Sequence, residues 1–458
     1  MTVNPKSPSQ KSLANERGAA LLAAMCFAAV LAIVLGSYIT VCHRSLEMST
    51  RNMTSTQSVE LAETGMEEAL WALNKNDWSG WSIASTTATK TTSGFTYDNG
   101  VTGSLTATIT NYDGSGAGTR TVTVTGTTTR PDGTSTSRTL TSTSAKAPLF
   151  VNAVAATAAR TAATGSVTFA SGGTVDSYDS TLGDYSAQPA TYSAVLASAA
   201  TAPTGATVAL VNAQVKGYAA SNYASGPSYS VSATIRGPST PLATKIDTSR
   251  ISSSPYQPVF TILTPTGAGT NVSSPASGTT LTLGVAGETT PRLYYCSSID
   301  LKTNNTKIQI DGPVQLVVTG SGSFYIGLNG GNATTLIQIA TTGSLEVFTG
   351  GDIAIYKGGI VNATKDPKKC AIYSTYTGTQ PDMNTTTAFY GVIYLPYADF
   401  KVISSNTIYG ALIANKVQFT GASPVVHYDV NLRNISSTDF RGLEQPYAVS
   451  NWRETTNP

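Results

Sequence analysis

Histidine-based chemistry has few residues to draw on in this sequence. The chain contains two histidines, His43 and His427, whereas a catalytic triad pairs a histidine with a nucleophile and zinc sites usually collect several histidines or cysteines. His427 begins a His-Tyr-Asp triplet, and we predict that it is a structural cap near the end of its domain. The sequence therefore predicts neither a catalytic histidine nor a metal site.

Paired carboxylates are the other chemistry to consider, because glycosidases place two acidic side chains across the scissile bond. The candidate aspartates in the C-terminal half are scattered, and we interpret them as solvated turn residues: Asp352, Asp366, Asp382 and Asp399. The Gly350-Gly351 and Gly358-Gly359 pairs lack the following helix that phosphate binding requires. We expect no enzyme activity and no cofactor.

The composition suits an exported, β-rich protein. Charged residues make up 12% of the chain, about half their share in a typical soluble domain. The formal net charge is +2 and no basic block stands out, so nucleic acid is not an expected partner. Two of the four cysteines, Cys26 and Cys42, lie in or beside an apolar run, so cysteine usage does not identify a redox compartment.

That apolar run lies between Gly18 and Cys42 and contains no charged residue. Roughly 20 apolar residues at about 1.5 Å each span the hydrocarbon of a bilayer. Lys6, Lys11 and Arg17 precede the run, and the positive-inside tendency places them in the cytoplasm. Because no second run of this length follows, we predict a single-pass protein of the inner (cytoplasmic) membrane with an exported C-terminal part.

The residues around the start of the run indicate how the N-terminus is processed. A secretory signal would need a small-x-small cleavage site, which the residues after Leu35 offer only poorly, and an uncleaved signal anchor is the alternative. The junction Arg17-Gly18-Ala19 resembles the class III signals of type IV prepilins and type II secretion pseudopilins. Its Arg-Gly-Ala-Ala-Leu opening is most similar to PilX-type minor pilins and K-type pseudopilins. The resemblance implies a leader, residues 1–18, cut between Gly18 and Ala19 by a prepilin peptidase.

The same resemblance assigns residues 19–42 to the membrane half of a pilin helix. The positions expected in the membrane include Ala19, Leu21, Leu22, Ala23, Phe27, Val30, Leu31, Ile33, Val34 and Leu35. Most pilins carry glutamate at the fifth mature position, where it can pair with the N-terminal amine of a neighbouring subunit, but here that position is Ala23. This departure argues against a major, repeating subunit.

The helical pattern continues beyond the membrane segment, because residues 43–76 contain no proline and one glycine, Gly65. Apolar residues recur there at spacings of three and four: Val59, Ala62, Met66, Ala69, Leu70 and Leu73. The stretch Leu46 to Ser58 is polar on almost all sides and would be poorly stable as an isolated helix. Residues 62–70 resemble the AEAG stretch of these minor pilins, which implies one long helix whose second half packs on a sheet.

Three stretches after the helix alternate with the β period: Gly103 to Ile109, Thr119 to Thr129 and Thr134 to Ser144. Turn sequences separate them at Asn111-Tyr-Asp-Gly114 and Arg130-Pro-Asp-Gly133. We therefore predict a small pilin-like unit over residues 43–146, in which an antiparallel sheet packs on the helix. Ala147-Pro148 marks the boundary to the next domain.

Residues 147–435 contain many short apolar strands separated by Gly, Asn or Ser turns. The sequence Phe389-Tyr-Gly-Val-Ile-Tyr394 recurs about 20 residues later as Ile408-Tyr-Gly-Ala-Leu-Ile413, and repeats of this length indicate coils that bury their faces on their neighbours. We predict a parallel, right-handed β-helix (a β-solenoid) with irregular insertions over about 187–290. A β-sandwich is the alternative. Residues 436–458 are expected to be a C-terminal tail.

The strand pattern also bears on Cys296 and Cys370. If the strands that contain Cys296, Leu316, Val347 and Cys370 are equivalent, the two cysteines lie three coils apart. At about 4.8 Å per coil the separation is roughly 14 Å, beyond the limit of ~7 Å between the Cα atoms of a disulfide. We predict that these cysteines do not bond to each other.

The same segment resembles the C-terminal domain found behind PilX-like N-termini in bacterial surface proteins. The residues that carry the resemblance are Tyr390, Gly391, Tyr394, Pro396, Tyr409, Gly410, His427, Tyr428 and Asp429. The turn from Asp176 to Ser180 fits the start of that domain. No function is attached to this family.

These observations predict a mainly β protein with a long N-terminal α-helix. They favour a type IV pilus or type II secretion-like minor pilin (pseudopilin) that displays a β-solenoid for filament assembly, adhesion or surface interaction. The implied partners are the membrane, other pilin or pseudopilin subunits, the prepilin peptidase, and surface glycans or host or neighbouring cells. After filament assembly the chain would lie in the periplasm or at the cell surface. The alternative is a membrane-anchored extracellular polysaccharide lyase or hydrolase, which a row of acidic side chains along one solenoid face would favour.

Overall fold

The computed structural model describes residues 12–112, 119–161, 165–201, 206–223, 226–255, 257–328, 334–379, 381–403, 405–435 and 440–455. The predicted class, mainly β with one long N-terminal helix, is confirmed. The chain divides into two compact units, Met1–Ala145 with Tyr447–Pro458, and Lys146–Pro446. Residues 1–11 of the predicted leader and the Asp113-Gly114 part of a predicted turn lie outside the described residues.

The α-helix runs from Ser12 to Lys75 without interruption. Its 64 residues make it roughly 96 Å long. From Gly18 to Thr40 it is exposed on all sides, whereas after Thr50 one face is buried on a sheet. The buried positions are Thr54, Ser58, Leu61, Ala62, Met66, Ala69, Ala72 and Leu73.

The polar part of this helix packs through hydroxyl groups. The hydroxyl of Ser58 lies 2.9 Å from that of Thr128, and it donates to the carbonyl of Thr136 at 2.9 Å. A Cβ atom at Gly126 would lie 2.1 Å from the carbonyl oxygen of Ser58, so the strand approaches the helix closely only because this residue is glycine. In the stretch that the sequence indicates to be too polar for an isolated helix, hydroxyl pairs and a close approach at glycine therefore hold the helix on the sheet in place of apolar contacts.

The first unit contains a six-stranded antiparallel sheet. Its strands, in spatial order, are Ser82–Ala84, Thr87–Thr96, Thr102–Thr110, Arg120–Thr129, Ser135–Lys146 and Tyr447–Thr455. The three predicted strands are the third, fourth and fifth of these. The first two were not predicted.

The C-terminal segment also differs from the prediction of a tail. Residues 447–455 form an edge strand beside Ser135–Lys146, and the hydroxyl of Thr143 donates to the carbonyl of Ser450 at 3.1 Å. The segment is mostly exposed and has no apolar alternation, so its pairing depends on a partner that is about 300 residues away in sequence.

The second unit consists of parallel strands in two sheets. The larger sheet contains Val154–Ala156, Val167–Phe169, Thr174–Tyr178, Ala194–Ser198, Val208–Leu210, Gln214–Ser221, Ser228–Tyr229, Thr234–Arg236, Ile251–Ser252, Thr270–Asn271, Arg292–Cys296, Ile299–Leu301, Pro313–Val318, Phe324–Ile326, Ser344–Thr349, Ile353–Lys357, Cys370–Ser374, Asp382–Thr385, Phe389–Val402, Thr407–Phe419 and Val425–Asp429. The smaller contains Thr280–Leu283, Lys307–Ile310, Leu336–Ile339 and Ile360–Asn362. Short 3₁₀ turns in the chain are Asp98–Gly100, Ser180–Leu182, Tyr185–Ala187, Thr248–Arg250, Pro367–Lys369 and Val430–Asn434.

We call these parallel strands the stack, because each strand pairs in register with the strand beside it, and most of the paired strands are about 20 to 40 residues apart in sequence. Phe389 pairs with Ile408, as the repeated sequence predicts. The strands Lys307–Ile310 and Phe324–Ile326 are among the short apolar strands that the sequence predicts in this domain. The region 187–290, expected to be irregular, contributes strands of the stack such as Ala194–Ser198 and Gln214–Ser221.

We call each strand of the stack, with the turn that follows it, a layer. The spatial order of the layers differs from their order in the chain. The strand Thr407–Phe419 pairs with Phe389–Val402 on one edge and with Val154–Ala156 on the other. The last layer of the chain therefore lies in the middle of the stack. One register column passes through Asn271, Tyr295, Val317, Phe348, Tyr373, Tyr394, Ile413, Ala155, Ala197, Ala220 and Ser252.

Residues 253–269, which we call the return segment, connect the two ends of this column; residue 256 lies outside the described part. Ten steps of about 4.8 Å make the column roughly 48 Å long. The N–H of Phe260 donates to the Tyr394 hydroxyl at 2.6 Å, and the N–H of Leu263 donates to the Gly442 carbonyl at 2.8 Å. The return segment thus runs alongside the stack and covers side chains of its strands.

Several strands of the C-terminal half are apolar along most of their length because both of their faces are buried. Every residue of Cys370–Ser374 is buried, and Tyr373 and Tyr394 are fully buried. Strands buried on both faces have continuous apolar sequences in place of alternation.

The register also settles the cysteine prediction. Cys296 pairs with Val318, whereas Cys370 pairs with Leu345 in a different column, three layers away. Both cysteines are buried and free, so the prediction that they do not bond to each other is confirmed.

Candidate functional site

The predicted processing and membrane residues lie on the bare half of the helix. Gly18 and Ala19 are within the continuous helix, near its start. The predicted apolar side chains are exposed, from 47% at Leu31 to 70% at Phe27. This segment is long and apolar enough to cross a membrane. Small residues recur on it at every fourth position, a spacing found in helices that pack on other membrane helices: Ala20, Ala24, Ala28, Ala32 and Gly36.

The predicted motif residues of the second unit form three groups, of which the first is a column of stacked rings. Tyr390 pairs with Tyr409, and Tyr409 pairs with His427. The rings of Tyr390 and Tyr409 are 4.2 Å apart and nearly parallel, at 2°. The ring of Tyr185, which the sequence did not single out, stacks on His427 at 3.6 Å. Since neighbouring rings in the column stack on one another, the column stabilises the contacts between strands.

His427 continues this column into the N-terminal layers. It pairs with Asp176, and its Nδ1 lies 2.5 Å from the Asp176 carboxylate, which also accepts from the Tyr185 hydroxyl at 2.8 Å. Because layers from residues 154–252 continue beyond it, the expectation that His427 caps the end of the domain is wrong. The residue joins the last layer of the chain to the first. The prediction of a turn from Asp176 to Ser180 is wrong at its start, because Asp176 lies in the strand Thr174–Tyr178, and its pairing with His427 is a long-range contact.

The second group of motif residues is buried. The Tyr394 hydroxyl donates to the carbonyl of Phe260 at 3.2 Å, and the Tyr428 hydroxyl donates to the carbonyl of Phe150 at 2.5 Å. Burial raises the pKa of both phenols above the usual range. Asp429 is also buried and caps the following 3₁₀ turn. These residues therefore fasten other segments to the stack.

Two glycines and a proline complete the motif. Gly410 has φ +135°, and a Cβ atom there would lie 2.0 Å from the carbonyl oxygen of Gly391. A Cβ atom at Gly391 would lie 2.7 Å from the Cys370 carbonyl oxygen. The carbonyl of Pro396 accepts from the Thr157 hydroxyl at 2.5 Å. The two glycines therefore bring backbones of adjacent strands together, whereas Pro396 is held by a side-chain hydrogen bond.

The aspartates that were expected to be solvated turn residues have specific partners. Asp399 forms an ion pair with Arg160 at 2.9 Å and accepts from Asn415 at 2.6 Å. Asp382 is half-buried, and burial raises the pKa of its carboxyl group. The solvated interpretation is therefore wrong for both.

The other two aspartates are also fixed by hydrogen bonds. Asp352 accepts from the Tyr325 hydroxyl at 2.8 Å, and Asp366 caps the turn Pro367–Lys369. Among the residues that the structure describes, no three His, Cys, Asp or Glu side chains are grouped so that they could hold a metal ion.

Part of the second unit is similar to a known family of domains. A family model described as a domain of unknown function (DUF7305) matches residues 267–435. No curated protein matches. The crystal structure of the competence-associated pilin ComZ from Thermus thermophilus is similar over 88% of this chain and 98% of that chain, with 12% identity and a TM-score of 0.24. This likeness is too low to support an argument about fold or function. The matched family domain begins at the end of the return segment and excludes the layers from residues 154–252.

Proposed function

We propose that this chain is a membrane-anchored, pilin-like minor subunit that displays a β-solenoid. One observation carries the proposal: a single helix, Ser12–Lys75, is exposed and apolar over residues 18–42 and is packed on an antiparallel sheet after Thr50. This is the arrangement that the resemblance to PilX-type minor pilins implies. Arg17-Gly18 stands where the leader of a prepilin would end.

The parallel stack is, in this proposal, a right-handed β-solenoid used for filament assembly, adhesion or surface interaction. Its register and its length support a display role. The predicted motif residues hold layers and covering segments together, which favours a structural scaffold over an enzyme. The proposed partners are other pilin or pseudopilin subunits, the prepilin peptidase, and surface glycans or neighbouring cells.

The subunit would cap or initiate a filament without repeating along it. An N-terminal ammonium in an apolar filament core is costly unless a neighbouring carboxylate pairs with it. With Ala23 at the fifth mature position, this chain offers no such carboxylate to a subunit above it. At a filament tip no subunit lies above, and its own amine can use the glutamate of a different subunit below. The exported bulk of the Lys146–Pro446 unit would also crowd a tightly wound array.

Filament stoichiometry tests this proposal. In quantitative mass spectrometry of sheared filaments, we expect far fewer copies of this chain than of the major pilin. A Gly18→Leu variant, which should keep its leader, is the matched control and should stay in the membrane fraction. Near-equal copy numbers, or filaments built from this chain alone, would contradict the proposal.

A further inference from the structure

A groove of about 470 Å³ in the Lys146–Pro446 unit belongs to none of the motifs described above. Small-ligand sites usually have volumes of roughly 300–1,000 Å³. Its wall carries hydroxyl side chains and six ionisable residues: Glu288, Glu346, Asp366, Lys368, Lys369 and Arg441. The three acids have hydrogen-bond partners, whereas the three bases have no ion-pair partner among the described residues. This difference determines which ligands the groove can bind.

Two of the acids are held by neighbours within their own loops. Both carboxylate oxygens of Glu288 accept from the Arg292 guanidinium, at 2.6 and 2.7 Å, and this contact lowers the pKa of Glu288. Asp366 accepts from the N–H of Lys368 at 2.9 Å. Each carboxylate keeps free lone pairs, so each can still accept a hydrogen bond from a ligand.

The third acid, Glu346, is mostly enclosed. It accepts from the Gln315 amide at 2.9 Å and from the N–H of Arg441 at 3.0 Å. Burial raises the pKa of its carboxyl group despite these bonds. Glu346 is therefore held in place by Gln315 and by the backbone of Arg441.

The three bases are not matched in this way. In the part of the chain that the structure describes, neither Lys368, Lys369 nor Arg441 has an ion-pair partner within 4.0 Å. Hydrogen bonding by Thr181 is the largest effect that lowers the pKa of Asp179, and the charge of Lys368 contributes less. The groove thus combines unpaired cations with carboxylates that can accept hydrogen bonds.

We propose that this groove binds an acidic sugar, such as a uronate unit of an extracellular polysaccharide. The unpaired cations would bind its carboxylate, and the carboxylates and hydroxyl side chains of the wall would accept from its hydroxyl groups. A bare anion would leave those acceptors unused and be repelled by them, and a neutral sugar would leave the cations unpaired. The inference deepens the proposed surface role by naming a ligand class, but it does not depend on maturation at Gly18.

Titration calorimetry on the full chain in detergent tests the site. The ligands are a short oligogalacturonate, a neutral galactose oligosaccharide of equal length, and inorganic phosphate. We expect the oligogalacturonate to bind at least about tenfold more tightly than either of the others. The double variant Lys368→Ala with Lys369→Ala, and the single variant Arg441→Ala, should each weaken that binding at least about tenfold.

The matched control is Lys401→Ala with Lys416→Ala, which removes the same formal charge from outside the groove and should leave binding unchanged. Unfolding midpoints of all variants verify that the fold is retained. Equal affinity for the neutral sugar would overturn the proposal, as would equal affinity for phosphate, no measurable binding of the oligogalacturonate, or equal loss in the control. Failure of cleavage at Gly18 would affect only the proposed function, because this binding is measured on the isolated chain.

Discussion

Deleting six residues from the return segment, Thr264 to Gly269, is expected to abolish folding of the Lys146–Pro446 unit. The segment joins Ser252 to Thr270 across a column roughly 48 Å long. About 18 residues span at most ~60 Å when fully extended, and about 12 span at most ~43 Å. The shortened chain could not reach both ends, so layers would be lost at one of them. Thermal unfolding followed by circular dichroism should show no cooperative transition for this unit.

The control lengthens the same segment by six Gly and Ser residues after Thr266. A longer loop costs little, about 0.6 kcal/mol per doubling of its length, so this variant should unfold near the temperature of the unaltered chain. If the deletion variant also unfolds cooperatively near that temperature, the layer order described above is wrong.

The substitution Gly410→Ala is expected to destabilise the same unit by about 3–5 kcal/mol. Its Cβ would lie 2.0 Å from the Gly391 carbonyl oxygen, at a φ of +135° that L-residues rarely adopt. Backbone cannot move aside as a flexible side chain can, so the two layers would have to separate. Denaturant unfolding of the variant should show a lower midpoint.

The matched control is Gly267→Ala, where φ is +131° and a Cβ atom would meet nothing within 4 Å. It carries the same backbone strain without the close contact, and we expect a loss of about 1 kcal/mol. Equal losses in the two variants would mean that strain alone accounts for the glycine and that the layers are not in close contact at Gly410.

The sequence allowed prediction of elements whose signal is local. The helix stripe and the strands around residues 307–326 follow from side-chain periodicity, and the pairing of Phe389 with Ile408 follows from a repeat. The return segment was missed because residues 251–287 carry no charge and no regular alternation. The strand Tyr447–Thr455 was missed because its partner edge is distant in sequence.

The sequence identified the residues of the candidate site, but it did not show which contacts each of them makes. The resemblance grouped Tyr390, Tyr394 and Tyr409, yet two of them stack in a partly buried column and Tyr394 is buried under the return segment. Whether a tyrosine stacks on other rings or is buried depends on the segment that covers it. That segment is distant in the sequence. The contact of His427 with Asp176 could not be predicted either, because the two residues are about 250 positions apart and meet only when their strands pair in the folded stack.

The central claim, a processed pilin-like subunit, is tested most directly by the mature N-terminus of the protein isolated from membranes. Peptide mass spectrometry should find Ala19 as the first residue, because a polar leader meets the apolar helix at Arg17-Gly18. Recovery of Met1, or of a first residue beyond Ser37, would contradict the account.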